Sequence, residues 1–344
     1  MTTRAVPTKR PQGPPFDEAR PPATRPGAGR RFLRAAAIAA TVPYLTLKTA
    51  WLAGSHIGIP DGSVLLEPGS VFFTALNGLS LLMDSSVVLL VLVLTRPWGM
   101  RVPSWLLLLP VFIATGLLTP IVLGFPGQLL LRAMGLGPDE AARAAEAPFL
   151  EPWVFNLVYP GFIIQAVALA GLFVPYARER WGRRWQGVLG PRVPPGGARG
   201  KLPSPTGVVA GAAAAVAAVV AATHLYWAFG GTAGHDPAQI AQYSSDTAMV
   251  SAVHAICALT AAAGALLLAK GGDRQAWWPL AVAWTGSAAT SCWGMWMMVA
   301  VVGGDPGPGE RTTAATYLIY AGQMIIGLLA VTVMARFLAT RRAA

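Results

Sequence analysis

Residues 71–95 read VFFTALNGLSLLMDSSVVLLVLVLT, and Asp84 is the one ionisable side chain among them. A run of this length and polarity fits the roughly 20 helical residues that cross a bilayer core. Outward from it, seven further windows have the same character: 33–53, 103–124, 153–176, 206–229, 247–269, 276–302 and 314–338. Pro110, Pro120 and Pro279 fall inside or near the starts of these windows, where neighbouring helices can satisfy the freed backbone groups. The expected fold class is all-α: a polytopic membrane protein with eight transmembrane helices.

Composition agrees with that class. Of 344 residues, 54% are hydrophobic and 12% charged, about half of the roughly 25% charge that soluble domains carry. The excess of Ala, Gly, Pro and Arg over Lys is the composition of a high-GC bacterial source. Cys257 and Cys292 both lie inside windows, so no disulfide framework is implied.

The charges are bunched between the windows. Segments 1–32, 96–102, 177–205, 270–275 and the C-terminal end, with Arg34 and Arg336 at the helix ends, hold every Lys and Arg except Lys48, Arg132, Arg143 and Arg311. The alternate loops hold ten of the fifteen acids, among them Asp139, Glu140, Glu146 and Glu151. A Lys/Arg bias of this kind marks cytoplasmic loops, and every loop agrees with one orientation in the cell membrane, both termini cytoplasmic. The net charge of +11 therefore needs no nucleic acid. Basic residues can bind phosphate backbones, but these flank helices. Membrane lipids, and anionic lipid of the inner leaflet in particular, are the expected partners.

The windows divide the chain into a Pro-, Arg- and Gly-rich tail at 1–32, read as disordered and cytoplasmic, a four-helix unit at 33–176, a basic linker at 177–205 and a second four-helix unit at 206–344. Arg30-Arg31-Phe32-Leu33 approaches a twin-arginine export signal, but its spacing is off and Lys48 interrupts the apolar core. A retained first helix with a basic flank is the expectation.

The two units match each other in sequence. Lys48-Thr49-Ala50-Trp51-Leu52-Ala53-Gly54-Ser55 and Gly58 align, 176 residues on, with His224-Leu225-Tyr226-Trp227-Ala228-Phe229-Gly230-Gly231 and Gly234. Leu157-Val158-Tyr159-Pro160-Gly161 aligns with Leu318-Ile319-Tyr320-Ala321-Gly322, and Arg101 and Trp105 with Arg274 and Trp278. Four spans per unit is an even number, so both copies face the same way, a parallel internal repeat. Trp51 and Trp227 sit at outer helix ends, where indoles favour the interface, and the glycines beyond allow the turn that ends a helix.

Residues 224–234, HLYWAFGGTAG, resemble the first-helix signature of a small four-helix bacterial membrane family, DUF3995, which has no known function. The resemblance covers the second half best and reaches the first half through the repeat, where Lys48 replaces the histidine. It implies a four-helix module and nothing about activity.

Ionisable groups inside spans cost about 2.5–3.5 kcal/mol on insertion scales and are functional hypotheses by default. Lys48 lies one to two turns from the outer end of helix 1, and Asp84 about 18 Å from the outer end of helix 2 at 1.5 Å per residue. They could pair and neutralise each other, or Lys48 could snorkel outward. Asp84 could instead couple a substrate or proton, or stay hydrogen-bonded to neighbouring Ser or Asn. The second half has histidines here: His224, His254 and, one turn deeper, Cys257. Cys292 reaches a similar depth, and Tyr320, the partner of Tyr159, and Gln323 sit in the same layer. Two His and two Cys at one depth could bind copper or zinc, and two equal-depth histidines could ligate haem. A hydrogen-bonded structural pair, or an outward-opening ligand pocket, needs neither cofactor.

Searches for a phosphate-binding Gly-rich loop with Lys, for His-Glu-x-x-His and for a nucleophile elbow find nothing. The Gly/Pro-rich 303–309 reads as an outer turn, and the acidic 138–147 as an outer connector. Three function classes follow. The first choice is a binding protein that takes a small molecule or lipid in an outer-leaflet pocket, or scaffolds a partner. The second is a transporter or permease with Asp84 as the coupling residue. The third is a haem- or metal-binding redox protein using His224 and His254.

Overall fold

The computed structural model describes residues 27–61, 63, 71–138, 150–190, 204–303 and 312–341. Residues 1–26 of the expected tail, 139–147 of the acidic connector, 191–203 of the linker and 304–309 of the Gly/Pro loop lie outside the described residues. The described residues are mostly helical. In order, α1 is Ala28–Leu52, α2 Val71–Thr95, α3 Ser104–Ala133, α4 Pro152–Trp185, α5 Pro205–Ala228, α6 Pro237–Ala241, α7 Ser245–Lys270, α8 Trp277–Gly303 and α9 Ala314–Thr340. A 3₁₀ turn, Pro97–Arg101, links α2 to α3.

Six of these helices, α2, α3, α4, α5, α7 and α9, are long and apolar enough to cross a membrane, which is the make-up of a multi-pass membrane protein. α1 and α8 have comparable lengths, 25 and 27 residues. They are less apolar because α1 carries Arg30, Arg31, Arg34 and Lys48 while α8 carries Trp277, Trp278, Trp284, Trp293 and Trp296, and indoles rank low on hydropathy scales although they suit membrane interfaces.

Three expected boundaries are corrected. α1 begins at Ala28, so the last residues of the expected tail are helical. α3 runs past 124 to Ala133, through Pro110, Pro120 and Pro126. α4 runs to Trp185 and absorbs the first third of the expected linker, its final turns being the basic stretch Arg178–Trp185. The apolar windows end where hydropathy falls, whereas a helix continues until its backbone geometry is interrupted.

Two short strands are a further departure from the all-α expectation. β1, Val188–Gly190, pairs antiparallel with β2, Gly272–Gln275, with Val188 opposite Gln275. Arg341, at the end of α9, donates to the carbonyls of Gln186 (3.1 Å) and Val188. This pair ties three basic segments together at one end of the bundle.

Within the first half, α1 packs on α2 and α4, and α3 on α4; within the second, α5 packs on α7 and α9, and α8 on α7 and α9. The second half is held by small residues. Ala210, Ala217, Ala258, Ala261, Ala265, Ala283 and Ala330 are all fully buried, and a Cβ on Gly264 or Gly286 would collide with the backbone of the facing helix. Small residues let backbones approach where the surrounding lipid removes any hydrophobic drive to associate. Larger side chains, Val87, Leu90, Leu94, Leu107, Leu169 and Leu172, fill the first half.

The halves meet where α3 lies against α7 and α8. Gly116 leaves room for Ala288 and Cys292, Trp284 Nε1 donates to Thr115 Oγ1 (3.2 Å) and Trp293 Nε1 to the Leu117 carbonyl (3.1 Å). Arg132 forms an ion pair with Asp246.

The ends of α1 and α5 are built alike. Trp51 Nε1 donates to the carbonyl six residues on, Ile57 (2.7 Å), and Trp227 Nε1 to Ala233, also six on (3.0 Å). Gly54 and Gly230 follow with φ of 89° and 83°, a region that strains other residues. A Cβ on Gly58 would strike Val154 at the start of α4, and one on Gly234 would strike Ala315 at the start of α9.

Candidate functional site

Among the described residues, each half encloses a buried polar cluster built by the first, second and fourth long helices of that half. In the first half, Asn77, Ser80 and Asp84 recur at i, i+3 and i+7 and so share one face of α2. All three are buried. Tyr44 and Lys48, one turn apart on α1, face them. Lys48 Nζ donates to Asn77 Oδ1 at 2.6 Å and lies 5.0 Å from the Tyr44 ring and 4.8 Å from the Trp51 ring, so two aromatic faces and an amide solvate the ammonium.

Asp84 lies within electrostatic reach of Lys48 and beside Gln165 of α4. It makes no ion pair within 4.0 Å; among the described residues Arg132–Asp246 is the one such contact. The direct Lys48–Asp84 pair considered from the sequence is thus replaced by a column: Lys48 and Asn77 at the top, Tyr44 and Ser80 below, Asp84 and Gln165 at mid-span. Gln165 is 1% exposed, and its side chain faces the Asp84 carboxyl. Tyr159 sits beside the column in an aromatic group, 5.1 Å from Phe125 and 5.5 Å from Phe155.

In the second half the cluster is His224 of α5, His254 of α7 and Gln323 of α9. Gln323 is fully buried, and its Nε2 donates to His224 Nε2 (3.0 Å) and His254 Nδ1 (3.1 Å). One amide thus uses both N–H groups, which places the imidazole protons on His224 Nδ1 and His254 Nε2 in this amide orientation. The rings stack at 5.0 Å with an 18° tilt, edged by Trp227 (5.3 Å from His224) and Trp293 (5.9 Å from His254). His224 Nδ1 and Gln323 Oε1, one donor and one acceptor, are buried without a partner. Leaving such groups unmet costs on the order of 1–3 kcal/mol each.

The remaining candidates do not join this centre. Cys257 packs with Val253, Ala289 and Met249 in an apolar pocket. Cys292 faces Gly116 of α3, at the seam between the halves. Tyr320 is half-buried, one turn before Gln323, with its backbone carbonyl towards Gly294. Among the described residues no group of three or more His, Cys, Asp or Glu converges as a metal-binding set. Axial haem ligation needs two imidazole nitrogens opposed across an iron. Here the rings lie face to face, and each turns one nitrogen to the same amide.

Sequence reasoning missed Tyr44, Asn77, Ser80 and Gln165. The first three stand at helical spacing from Lys48 or Asp84, a signal that was available. It also missed His235, which stacks on Trp227 at 4.4 Å and bonds Gln239 at 3.1 Å, covering the second cluster from the loop side. Comparison of the chain with known family models, with curated proteins and with solved structures returns no match.

Proposed function

We propose that the chain crosses the cell membrane eight times as two parallel four-helix units, with both termini cytoplasmic, and binds a small polar molecule in the outer half of the bundle. The observation that carries this reading is the pair of corresponding clusters, each at the meeting of the first, second and fourth helices. The second also holds buried groups without partners, His224 Nδ1 and Gln323 Oε1. Lys48 and His224, aligned at a spacing of 176, occupy the same place in the two units.

The duplication is supported by the matched indole bonds, glycine turns and helix contacts at the ends of α1 and α5. The membrane count draws support from α1 and α8, which are as long as their neighbours and pack among them. Cytoplasmic termini draw support from the basic end that Arg30, Arg101, Arg178, Arg274 and Arg341 share. The four-helix module that residues 224–234 resemble, DUF3995, is the unit we propose to be duplicated.

The test is to purify the protein from its membranes in mild detergent and identify retained small molecules by mass spectrometry, beside Gln323→Leu and Asp84→Asn. A compound present near one per chain and lost in either variant supports binding. Equal recovery of every compound from all three proteins counts against it.

Asp84 favours transport as a second reading, because a buried carboxyl at mid-span is the group a coupled carrier needs. Proteoliposomes carrying a pH-sensitive dye distinguish the two: transport expects proton flux that Asp84→Asn abolishes, and a binding protein shows none.

A further inference from the structure

A groove of about 640 Å³ runs along the lipid-facing surface between α1 and α4, away from both polar clusters. On α1 it is lined by Phe32, Ala36, Ala39 and Pro43, and on α4 by Pro160 and Ile164, among others. Its depth comes from small residues. Gly161 brings α4 close to α1, since a Cβ there would sit 3.0 Å from the Ala40 carbonyl, and the alanines of α1 leave the space above unfilled.

Three properties of the groove point to one occupant. Its extent from Phe32 to Pro43 is eleven residues, about 17 Å of helix rise, against about 15 Å for half a bilayer core. On α1 it starts about one turn from the basic end and stops near mid-helix at Pro43, about one leaflet's depth, while its α4 wall runs from Ala168 to Leu157, five residues inside that helix. Its lining is entirely apolar side chains and glycine, yet its mouth is charged. Arg31 precedes Phe32 on α1 and is exposed. Arg178 is exposed on α4, eighteen residues beyond Pro160 and therefore five turns along the same side of that helix. Arg30, Arg34 and Glu179 also lie at this end of α1 and α4, so the balance is positive.

We infer that this groove holds an acyl chain of an anionic glycerophospholipid from the cytoplasmic leaflet, with its phosphate at Arg31 and Arg178. The leaflet rests on the orientation proposed above; the binding itself does not. A zwitterionic lipid could fill the same apolar groove with the same phosphate, but its ammonium offsets that charge, so an anionic headgroup gains more from the arginines at the mouth, by about fivefold for each one near the surface.

Native mass spectrometry of the full chain, delipidated in detergent and titrated with phosphatidylglycerol or phosphatidylcholine of identical chains, tests this. The first phosphatidylglycerol should bind several-fold more tightly than phosphatidylcholine. Ala39→Phe, which fills the groove from a lipid-exposed position that tolerates a larger apolar side chain, should remove that tight first site. Val219→Phe, on the exposed face of α5, should not. Arg31→Gln and Arg178→Gln should each weaken phosphatidylglycerol about fivefold and phosphatidylcholine by less. Equal affinity for both lipids, an unaltered first site in Ala39→Phe, or a dimer that Ala39→Phe dissociates without any change in lipid binding would overturn the inference. Gln323→Leu and Asp84→Asn should bind lipid normally, which separates this site from the polar clusters.

Discussion

Gln323 holds the second cluster with a single amide, and its replacement exposes what that amide does. Gln323→Leu keeps the approximate volume but leaves the ring nitrogens of His224 and His254 buried without their donor. At about 1–3 kcal/mol per unmet group, the variant should melt several degrees below the parent in a detergent thermal-shift assay. Gln323→Leu combined with His224→Phe and His254→Phe should recover much of that loss, because replacing all partners by apolar groups is far cheaper than stranding some of them. A triple variant no more stable than Gln323→Leu would show that packing, not hydrogen bonding, sets the cost. In the first cluster, Lys48→Met should cost less than Asn77→Leu. Lys48→Met removes the cation with its solvation, whereas Asn77→Leu strands an ammonium over two aromatic rings. The candidate site was partly legible at this scale. His224, His254 and Gln323 share a layer by simple counting along their helices. The replacement of a Lys48–Asp84 pair by Asn77 was not legible, since counting gives depth but not the azimuth that decides which side chains meet.

The helix ends carry the most specific element-level expectation. Gly54 and Gly230 take the same positive φ after the same indole-bonded turn, so Gly54→Ala and Gly230→Ala should each destabilise by about 1–2 kcal/mol. Unequal effects, with one substitution silent, would mean that the two turns are alike in form but not in strain. Between the halves, Trp293 reaches the Leu117 carbonyl from α8. Trp293→Phe should cost about 1 kcal/mol, the net worth of a typical hydrogen bond, read in the same assay. The helices themselves were legible because each apolar window has the length a span requires. Their extensions were not: the end of α4 is basic and amphipathic, and a hydropathy window stops where the charge begins although the backbone continues to Trp185. The β1–β2 pair was equally hidden, since three or four residues rich in glycine carry no periodicity.

At the scale of the whole molecule, the two halves contact each other along a seam of α3 with α7 and α8. Arg132 and Asp246 close that seam at the end away from the basic residues. Arg132 is half-exposed, so Arg132→Met should cost only about 1 kcal/mol, and in the same thermal-shift assay the loss should shrink in the Arg132→Met, Asp246→Asn double variant. The orientation of the units relative to the bilayer is the premise on which the ligand clusters open outward and the lipid groove opens to the inner leaflet. Single cysteines placed in a Cys257→Ala, Cys292→Ser background test it directly, by labelling intact cells with a membrane-impermeant maleimide. Ser55→Cys and Thr232→Cys, the loops after the two matched indole turns, should both label from outside, and Asp273→Cys only after permeabilisation. Labelling of Ser55→Cys and Thr232→Cys from opposite sides would contradict a parallel duplication, and with it the correspondence of the two clusters.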